Sequence, residues 1–170
     1  MTALLQKGTF KVGNINIKLY LDDARKSIQQ QPDNFFDLIW LDAFSSDVNP
    51  ELWSWQFFAQ CRRVMRHDDS LLLTYSSAPS VRGGMLKAKL NTAETPSFGR
   101  KRCGTVASRQ TIDGFSALSE KEMHIIFDST AGTPYSDPGL CQTANWMIEH
   151  HKKLIERLRR KGIPKWYKAK

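Results

Sequence analysis

The chain has few cysteines and no long apolar run. Its 170 residues include three cysteines, Cys61, Cys103 and Cys141, and none forms a C-x-x-C pair. Isolated thiols of this kind are typical of a reduced cytoplasmic protein and not of a disulfide framework. No apolar run approaches the roughly 20 residues that span a membrane, and the first residues lack the apolar core of a signal peptide. We therefore expect a cytoplasmic protein that makes no membrane contact.

Two common catalytic patterns are also absent. Ser77 has no nucleophile-elbow sequence around it, which argues against a serine hydrolase. His150 and His151 are adjacent in a predicted helix, where neighbouring side chains point about 100° apart, so they cannot chelate one metal ion together. The sequence therefore predicts no metal site.

Positive charge is concentrated at the C-terminal end. Residues 149–170 contain nine Lys/Arg and two Glu, a local balance of +7, out of a net +8 for the whole chain. A nearly neutral body with a basic tail suggests a polyanionic partner such as nucleic acid. On charge alone, a solvated surface helix is an equally good interpretation.

Apolar patterning predicts alternating strands and helices. Period-two alternation predicts a strand over residues 14–21, and uninterrupted apolar runs predict buried strands over 36–41 and 70–76. A further short strand is expected over 103–108. The predicted helices are 24–31, a helix that begins at Pro50 with Asn49 as its N-cap, 81–90 and 144–161. This order predicts an α/β fold with a mostly parallel sheet and flanking helices. We divide the chain into an α/β portion, 1–143, and a basic C-terminal helix and tail packed on it, 144–170.

The segment Leu41–Trp53 holds the first candidates for chemistry. Asp42 directly follows the most apolar strand, and ligands bind at the carboxyl ends of strands in open α/β sheets. A carboxylate there could position and deprotonate an amine, or it could simply cap the loop. Phe44 and Trp53 could line a pocket, although aromatic residues beside a core more often belong to the core.

Other strand ends carry polar groups as well. Asp23, followed by Ala24, could accept a hydrogen bond from a nucleobase or cap the next helix, and local grounds favour the cap. Tyr75 and Ser76 place hydroxyl groups at the end of another strand. Arg100, Lys101 and Arg102 form a compact basic loop suited to phosphate contact.

Together and in this order, these motifs resemble the MnmC-like methyltransferase family. The resemblance rests on Asp-Ala-Arg after a strand, Leu-Asp-Ala-Phe with Asn-Pro-Glu-Leu-Trp, Thr-Tyr-Ser-Ser, Ser-Val-Arg, Phe-Gly-Arg-Lys-Arg and Pro-Tyr-Ser-Asp-Pro. It implies a Rossmann-like class I fold that uses S-adenosylmethionine. The implied activity is methylation of the 5-aminomethyl group of 2-thiouridine at the tRNA wobble position. The chain is similar to the stand-alone type, without an oxidoreductase domain.

The resemblance also implies roles for the candidate residues. Asp42 would be the catalytic acid that holds the substrate amine. The cofactor would be bound by Asp23, Ala24, Tyr75 and Ser76. The substrate would be bound by Phe44, Asn49, Pro50, Trp53, Arg100, Lys101 and Arg102.

One departure from the family pattern is large. The Gly-rich loop that follows the first strand of class I methyltransferases, and the acid after the second strand, have no counterpart in this sequence. We therefore expect a partial fold that lacks the N-terminal half, as a gene fragment, as a truncated gene model or as half of a split protein whose other half is on another polypeptide. Two alternatives remain open, a non-catalytic tRNA-binding remnant and a methyltransferase of another amine or RNA base.

Overall fold

The computed structural model describes residues 8–97 and 103–166, in which strands and helices alternate. The strands are β1 (Thr9–Val12), β2 (Ile15–Lys18), β3 (Leu38–Leu41), β4 (Leu71–Thr74), β5 (Asn91–Glu94), β6 (Thr105–Ser108) and β7 (Ser116–Ala117). The α-helices are α1 (Ala24–Gln29), α2 (Trp55–Val64), α3 (Pro79–Lys87), α4 (Glu120–Phe127) and α5 (Ala144–Arg160). Short 3-10 helices span Pro50–Trp53, Thr130–Gly132 and Pro138–Leu140. The predicted α/β architecture is confirmed.

The main sheet has five strands in the order β3-β4-β6-β5-β7. Strand β3 pairs in parallel with β4, with Leu38 opposite Leu71. Strand β6 lies between β4 and β5 and is antiparallel to both, and β7 is antiparallel to β5. The prediction of a mostly parallel sheet was therefore wrong for the strand pairs beyond β4. The connection from β5 to β6 is shorter than the crossover of about a dozen residues that a parallel pair requires, so the two strands form a hairpin.

The core lies on one face of this sheet, under α2 and α3. Phe58, Cys61 and Met85 from the helices and Leu72 from β4 are all 0% exposed. Burial of each Phe, Met and Leu side chain among them contributes about 1.5–3 kcal/mol. Burial also raises the pKa of the Cys61 thiol to about 12. Helices α2 and α3 approach closely at Gly84, where an added Cβ would lie 3.1 Å from the Phe58 ring. Close packing of these helices thus depends on a small residue in α3.

The start of α2 differs from the prediction. Asn49 precedes the 3-10 helix but makes no side-chain capping bond, and instead its Nδ2 donates to Glu51 Oε2 at 2.8 Å. Pro50 begins that 3-10 turn as expected. The chain then leaves the helical conformation at Ser54, whose Oγ accepts a hydrogen bond from Phe57 N at 3.2 Å and caps α2. The expected single helix is therefore divided in two.

Strand β3 and the β1–β2 hairpin form an open end of the molecule. The uninterrupted apolar run predicted burial of β3 on both faces, but Leu38 is 50% and Trp40 72% exposed. That prediction was wrong within the described residues. These residues pack on the face of β3 that carries Leu41 and leave the other face exposed. The hairpin pairs with itself, and the side chains on both of its strands are exposed.

The C-terminal helix α5 packs on the body, and its predicted extent is confirmed to within one residue. Met147 is fully buried, and His151 contacts the Thr133 carbonyl oxygen through Nε2 at 2.8 Å. Most of its cationic side chains lie on the opposite, exposed face. Within residues 8–97 and 103–166 no helix is both long and apolar enough to cross a membrane.

Candidate active site

The loop of residues 42–53, here named the β3 loop, follows the carboxyl end of β3 and is held at its first residues by two aromatic side chains. The Tyr75 hydroxyl donates to the Ala43 carbonyl oxygen at 2.8 Å. Trp53 Nε1 donates to the Phe44 carbonyl oxygen at 2.6 Å. The Trp53 and Tyr75 rings also meet edge to face, with their centroids 6.0 Å apart. The backbone beside Asp42 is therefore fixed while the Asp42 side chain stays exposed.

The far side of the β3 loop is held by Tyr135. Its hydroxyl donates to Asp47 Oδ1 at 3.3 Å, and its ring stacks on His151 with a centroid distance of 4.1 Å. Burial, together with the nearby Asp47 carboxylate, raises the pKa of Tyr135 to about 12, so the hydroxyl stays protonated and able to donate. Burial lowers the pKa of His151 below its ordinary value, which favours the neutral ring in this stack. The C-terminal helix thus supports the loop that carries Asp42.

The predicted substrate residues on this loop differ in exposure. Phe44 is 78% exposed, whereas Trp53 is 1% exposed and belongs to the core as well as to the loop. Asn49 is half-buried and Pro50 is buried at the start of the 3-10 turn. An aromatic ring as exposed as that of Phe44 is available to a substrate. Trp53 instead supports the loop from the core.

The predicted cofactor residue Asp23 caps α1. Its Oδ1 accepts a hydrogen bond from Arg25 N at 2.9 Å, and both carboxylate oxygens also contact the Arg25 guanidinium. Hydrogen bonding by that guanidinium lowers the pKa of Asp23. Arg25 in turn pairs with the fully buried Asp137 at 2.8 Å and with the Gln142 carbonyl oxygen at 2.8 Å. The capping interpretation matches these contacts, and an adenine amino group would have to share an acceptor with Arg25.

An open cleft of about 520 Å³ lies between α1 and β3. Ala24 and Ile28 line one side and Leu41 and Leu52 the other, so the predicted cofactor segment and the strand before Asp42 share one cavity. The lining suits the aromatic base of a nucleoside, as pockets for such ligands are largely apolar. The residues described here thus fit the adenine base of S-adenosylmethionine.

The ends of β4 and β6 are joined by a buried arginine network. Arg82, 2% exposed, pairs with Glu94 at 2.9 Å and with Glu122, and its Nε donates to Thr105 Oγ1 at 3.0 Å. Thr105 Oγ1 donates in turn to the Ser76 carbonyl oxygen at 2.7 Å. The network fixes the backbone at Ser76, beside Tyr75.

The basic loop residues Arg100, Lys101 and Arg102 lie outside the described residues. The described residues on either side of this loop are linked by a hydrogen bond, in which Gly104 N donates to Thr95 Oγ1 at 2.9 Å. The predicted phosphate contact by this loop stays a prediction.

Three groups important to this site were missed from the sequence. Asp47 lies in a polar loop, and Asp137 lies in the Pro-Tyr-Ser-Asp-Pro motif, but neither local sequence indicates the distant residue with which the aspartate pairs. Arg82 lies in the Ser-Val-Arg motif, but its two carboxylate partners are 12 and 40 residues away. One signal was available and overlooked, since Ser119 and Glu122 form the capping box that starts α4.

Comparison with known proteins identifies the family. A family described as S-adenosyl-L-methionine-dependent methyltransferase matches residues 1–110. The bifunctional protein MnmC of tRNA 5-methylaminomethyl-2-thiouridine biosynthesis from Azoarcus sp. is 38% identical over 140 residues, which is 81% of this chain and 21% of that protein. The chain belongs to the MnmC-like methyltransferase family.

Two longer proteins are similar to most of this chain. An uncharacterized protein from Methanocaldococcus jannaschii is 32% identical over 148 residues, 87% of this chain and 41% of that protein. The crystal structure of MnmC2 from Aquifex aeolicus superposes with a TM-score of 0.81 at 26% identity, over 92% of this chain and 50% of that one. The Rossmann-like methyltransferase fold is thereby confirmed, and the chain spans about half the length of the solved MnmC2 chain.

Proposed function

We propose that this chain carries the acceptor side of an S-adenosylmethionine-dependent methyltransferase that acts on the 5-aminomethyl group of 2-thiouridine at the tRNA wobble position. The observation that carries the proposal is the exposed Asp42 on a loop held by Tyr75 and Trp53, in a chain of the MnmC-like family. The tRNA substrate follows from the names of the relatives. We further propose a cytoplasmic location, with the division into portions 1–143 and 144–170 as described above.

Methyl transfer requires the protein to align the amine with the methyl group and to remove one proton. When bound, the cofactor supplies an electrophilic methyl group on a sulfonium, which becomes a neutral thioether as a nitrogen–carbon bond forms. Asp42 would hold the acceptor amine and take the proton that the methylated nitrogen releases. Tyr75 would keep the Ala43 carbonyl, and with it the backbone of Asp42, in place. Phe44 would offer an aromatic face to the cation formed.

Methyl transfer to tRNA tests this function. Tritiated methyl transfer from S-adenosylmethionine to hypomodified tRNA should be measured for the protein and for its variants. Asp42→Asn should lower the rate by about 10²-fold or more, the usual contribution of a positioned acid or base. Asp69→Asn is the matched control. Asp69 is exposed and precedes the amino end of β4, so it lies at the end of the strands opposite to Asp42. Equal rates for Asp42→Asn and the wild type would contradict the proposed role.

A second candidate, a tRNA-binding remnant, is favoured by the basic face of α5. The cations of this face are exposed and lie opposite the buried Met147; they are Lys152, Lys153, Arg157 and Arg160. A gel-shift titration at several salt concentrations distinguishes the candidates, since phosphate contacts make affinity fall steeply with salt. Salt-dependent tRNA binding without methyl transfer would favour the remnant. Methylation of a free amine or base without tRNA would indicate another substrate.

A further inference from the structure

One side of α5 carries two aromatic rings and two cations in a line. The four residues follow one another at i, i+4, i+7 and i+11, a spacing that brings helical residues onto one face; they are Trp146, His150, Lys153 and Arg157. All four are exposed, and they lie beside the face of the helix that buries Met147. We name these four residues the α5 stripe.

The aromatic end of the α5 stripe is a preformed stack. The rings of Trp146 and His150 are nearly parallel, with 10° between their planes and their centroids 4.7 Å apart. Unpaired nucleobases stack on exposed aromatic rings of this kind, because every base has a flat π-face. A base laid on this pair would extend a stack that already exists, so little side-chain freedom would be lost on binding.

The cationic end of the stripe suits the phosphates next to such a base. Lys153 and Arg157 lie about 4.5 and 10.5 Å beyond His150 along the helix axis, at a rise of about 1.5 Å per residue. Proteins that bind single strands combine stacking rings with cations that follow the backbone. The two glutamates of α5, Glu149 and Glu156, lie on the neighbouring side of the helix. The stripe therefore offers stacking at one end and neutralisation of phosphate at the other.

The aromatic end of the stripe lies next to the candidate active site. Helix α5 contacts the 3-10 turn Pro50–Trp53 at the end of the β3 loop. His151, which follows His150 in the chain, stacks on Tyr135, and the hydroxyl of this tyrosine donates to Asp47 in the same loop. A nucleotide bound at the aromatic end would therefore be held close to the β3 loop.

We propose that the α5 stripe binds a single-stranded segment of RNA. An unpaired base stacks on Trp146 and His150, and the neighbouring phosphates contact Lys153 and Arg157. A single strand is required, because the bases of a duplex are stacked on one another and do not present their faces to a protein ring. The choice of RNA rests on the proposed function, whereas the stacking and the phosphate contacts rest on the geometry of α5. The site differs from simple attraction of polyanions to α5, because it needs a base as well as phosphates.

Binding of short RNAs tests the proposal without cofactor or tRNA. Fluorescence anisotropy compares a labelled oligouridylate, which does not pair with itself, with an abasic strand of the same length and charge. We expect the protein to bind the oligouridylate about fivefold or more tightly than the abasic strand, because a stacked base contributes on that scale. Trp146→Ala should remove this difference and leave the affinity for the abasic strand unchanged. Trp146→Phe, which keeps an aromatic ring, should restore part of the difference.

The cationic end has a matched control in the same helix. Lys153→Gln should weaken the binding of both strands and lower the slope of log affinity against log salt by about 0.7, the contribution of one phosphate contact on a single strand. Lys152 is also exposed and, like Lys153, lies three or four positions from Glu149 and from Glu156, but it points about 100° away from Lys153. Lys152→Gln should therefore change the slope less. Equal changes for the two variants would contradict phosphate contact on the stripe.

The aromatic end has its own control and its own contrary outcomes. Phe127→Ala removes a ring that is 64% exposed on α4, outside the stripe, and should leave binding unchanged. Circular dichroism checks the fold of each variant, and His150→Ala replaces Trp146→Ala if the latter does not fold. Equal affinity of the wild type for the oligouridylate and the abasic strand would overturn the proposal. So would equal losses for Trp146→Ala and Phe127→Ala, or tighter binding of an RNA duplex of the same length. These measurements involve no methyl transfer, so they succeed or fail independently of the methyltransferase function.

Discussion

Strands β6 and β3 are both four residues long, yet they lie in opposite environments. All four residues of β6 are buried, and it has a strand on each side. Among residues 8–97 and 103–166, strand β3 has one neighbouring strand, and Leu38 and Trp40 are exposed although its sequence is the more apolar of the two. Burial thus depends here on what is present to cover a strand rather than on how apolar the strand is.

Ion pairs at the two ends of the sheet differ in the same way. Arg82 is 2% exposed and satisfies two carboxylates, a hydroxyl and a carbonyl oxygen around β6. Arg66 pairs with Asp37 beside β3 at 2.9 Å, but both side chains are mostly exposed. The buried network holds the candidate site together, whereas the exposed pair is screened by water.

Loss of the buried arginine should have the largest effect. Arg82→Ala leaves Glu94 and Glu122 close together without a cation, and the free energy of unfolding should fall by about 3–5 kcal/mol. Urea unfolding followed by circular dichroism measures this change. Arg66→Ala is the matched control and should cost about 1 kcal/mol or less. Equal losses for the two variants would mean that the covered and open ends do not differ as described.

Truncation of a leucine should have the next largest effect on stability, and the loss should differ between the covered and the open end of the sheet. Leu72 in β4 is 0% exposed, so Leu72→Ala should lower the free energy of unfolding by about 2–5 kcal/mol through lost burial and a cavity. Leu38→Ala, one strand away, should cost about 1 kcal/mol or less in this chain, because Leu38 is half exposed.

Tyr135 links the β3 loop to α5, because its hydroxyl donates to Asp47 and its ring stacks on His151. Tyr135→Phe removes a hydrogen bond to a carboxylate and should cost about 0.5–1.5 kcal/mol. The ring and its stacking on His151 are kept, so the body of the protein should not change. Deuterium exchange should increase in the β3 loop and stay constant in β6. Faster exchange in β6 as well would show that the loop is not an independent unit.

The smallest effect should be a dependence of stability on pH. Burial against Tyr135 lowers the pKa of His151, so the unfolded chain binds a proton at higher pH than the folded chain does. Stability should therefore decline as the pH falls below about 6.5, the unperturbed value. Thermal unfolding between pH 5 and pH 8 measures this, and His151→Gln should flatten the decline.

The pKa of His124 is shifted in the direction opposite to that of His151. The hydrogen bond from its ring to Asp128 raises the pKa of His124, so its contribution to stability is present below about 6.5 and is lost as the pH rises through the folded value. His124→Gln should therefore make the decline at low pH steeper. A flatter profile for this variant would contradict the assignment of the decline to His151.

Local patterns were sufficient for much of the fold. Strand β4 and helix α5 were predicted from apolar runs and helical periodicity, because these patterns are read within one segment. The start of α2 was misplaced, because a residue suited to capping at Asn49 competes with Ser54 and the sequence does not say which one the helix uses. No strand was predicted at β5, and the expectation of a mostly parallel sheet failed at β6, because the direction of a strand depends on the connections between elements.

The sequence by itself determined the family, the strand that ends at Asp42 and the basic C-terminal helix, since each rests on neighbouring residues and their order. Only the tertiary structure decided that Tyr75, Trp53 and Tyr135 hold the loop around Asp42. It also showed that Arg82 joins the strand ends and that β3 is left open. These features depend on contacts between residues far apart in the chain, and such contacts leave no local pattern.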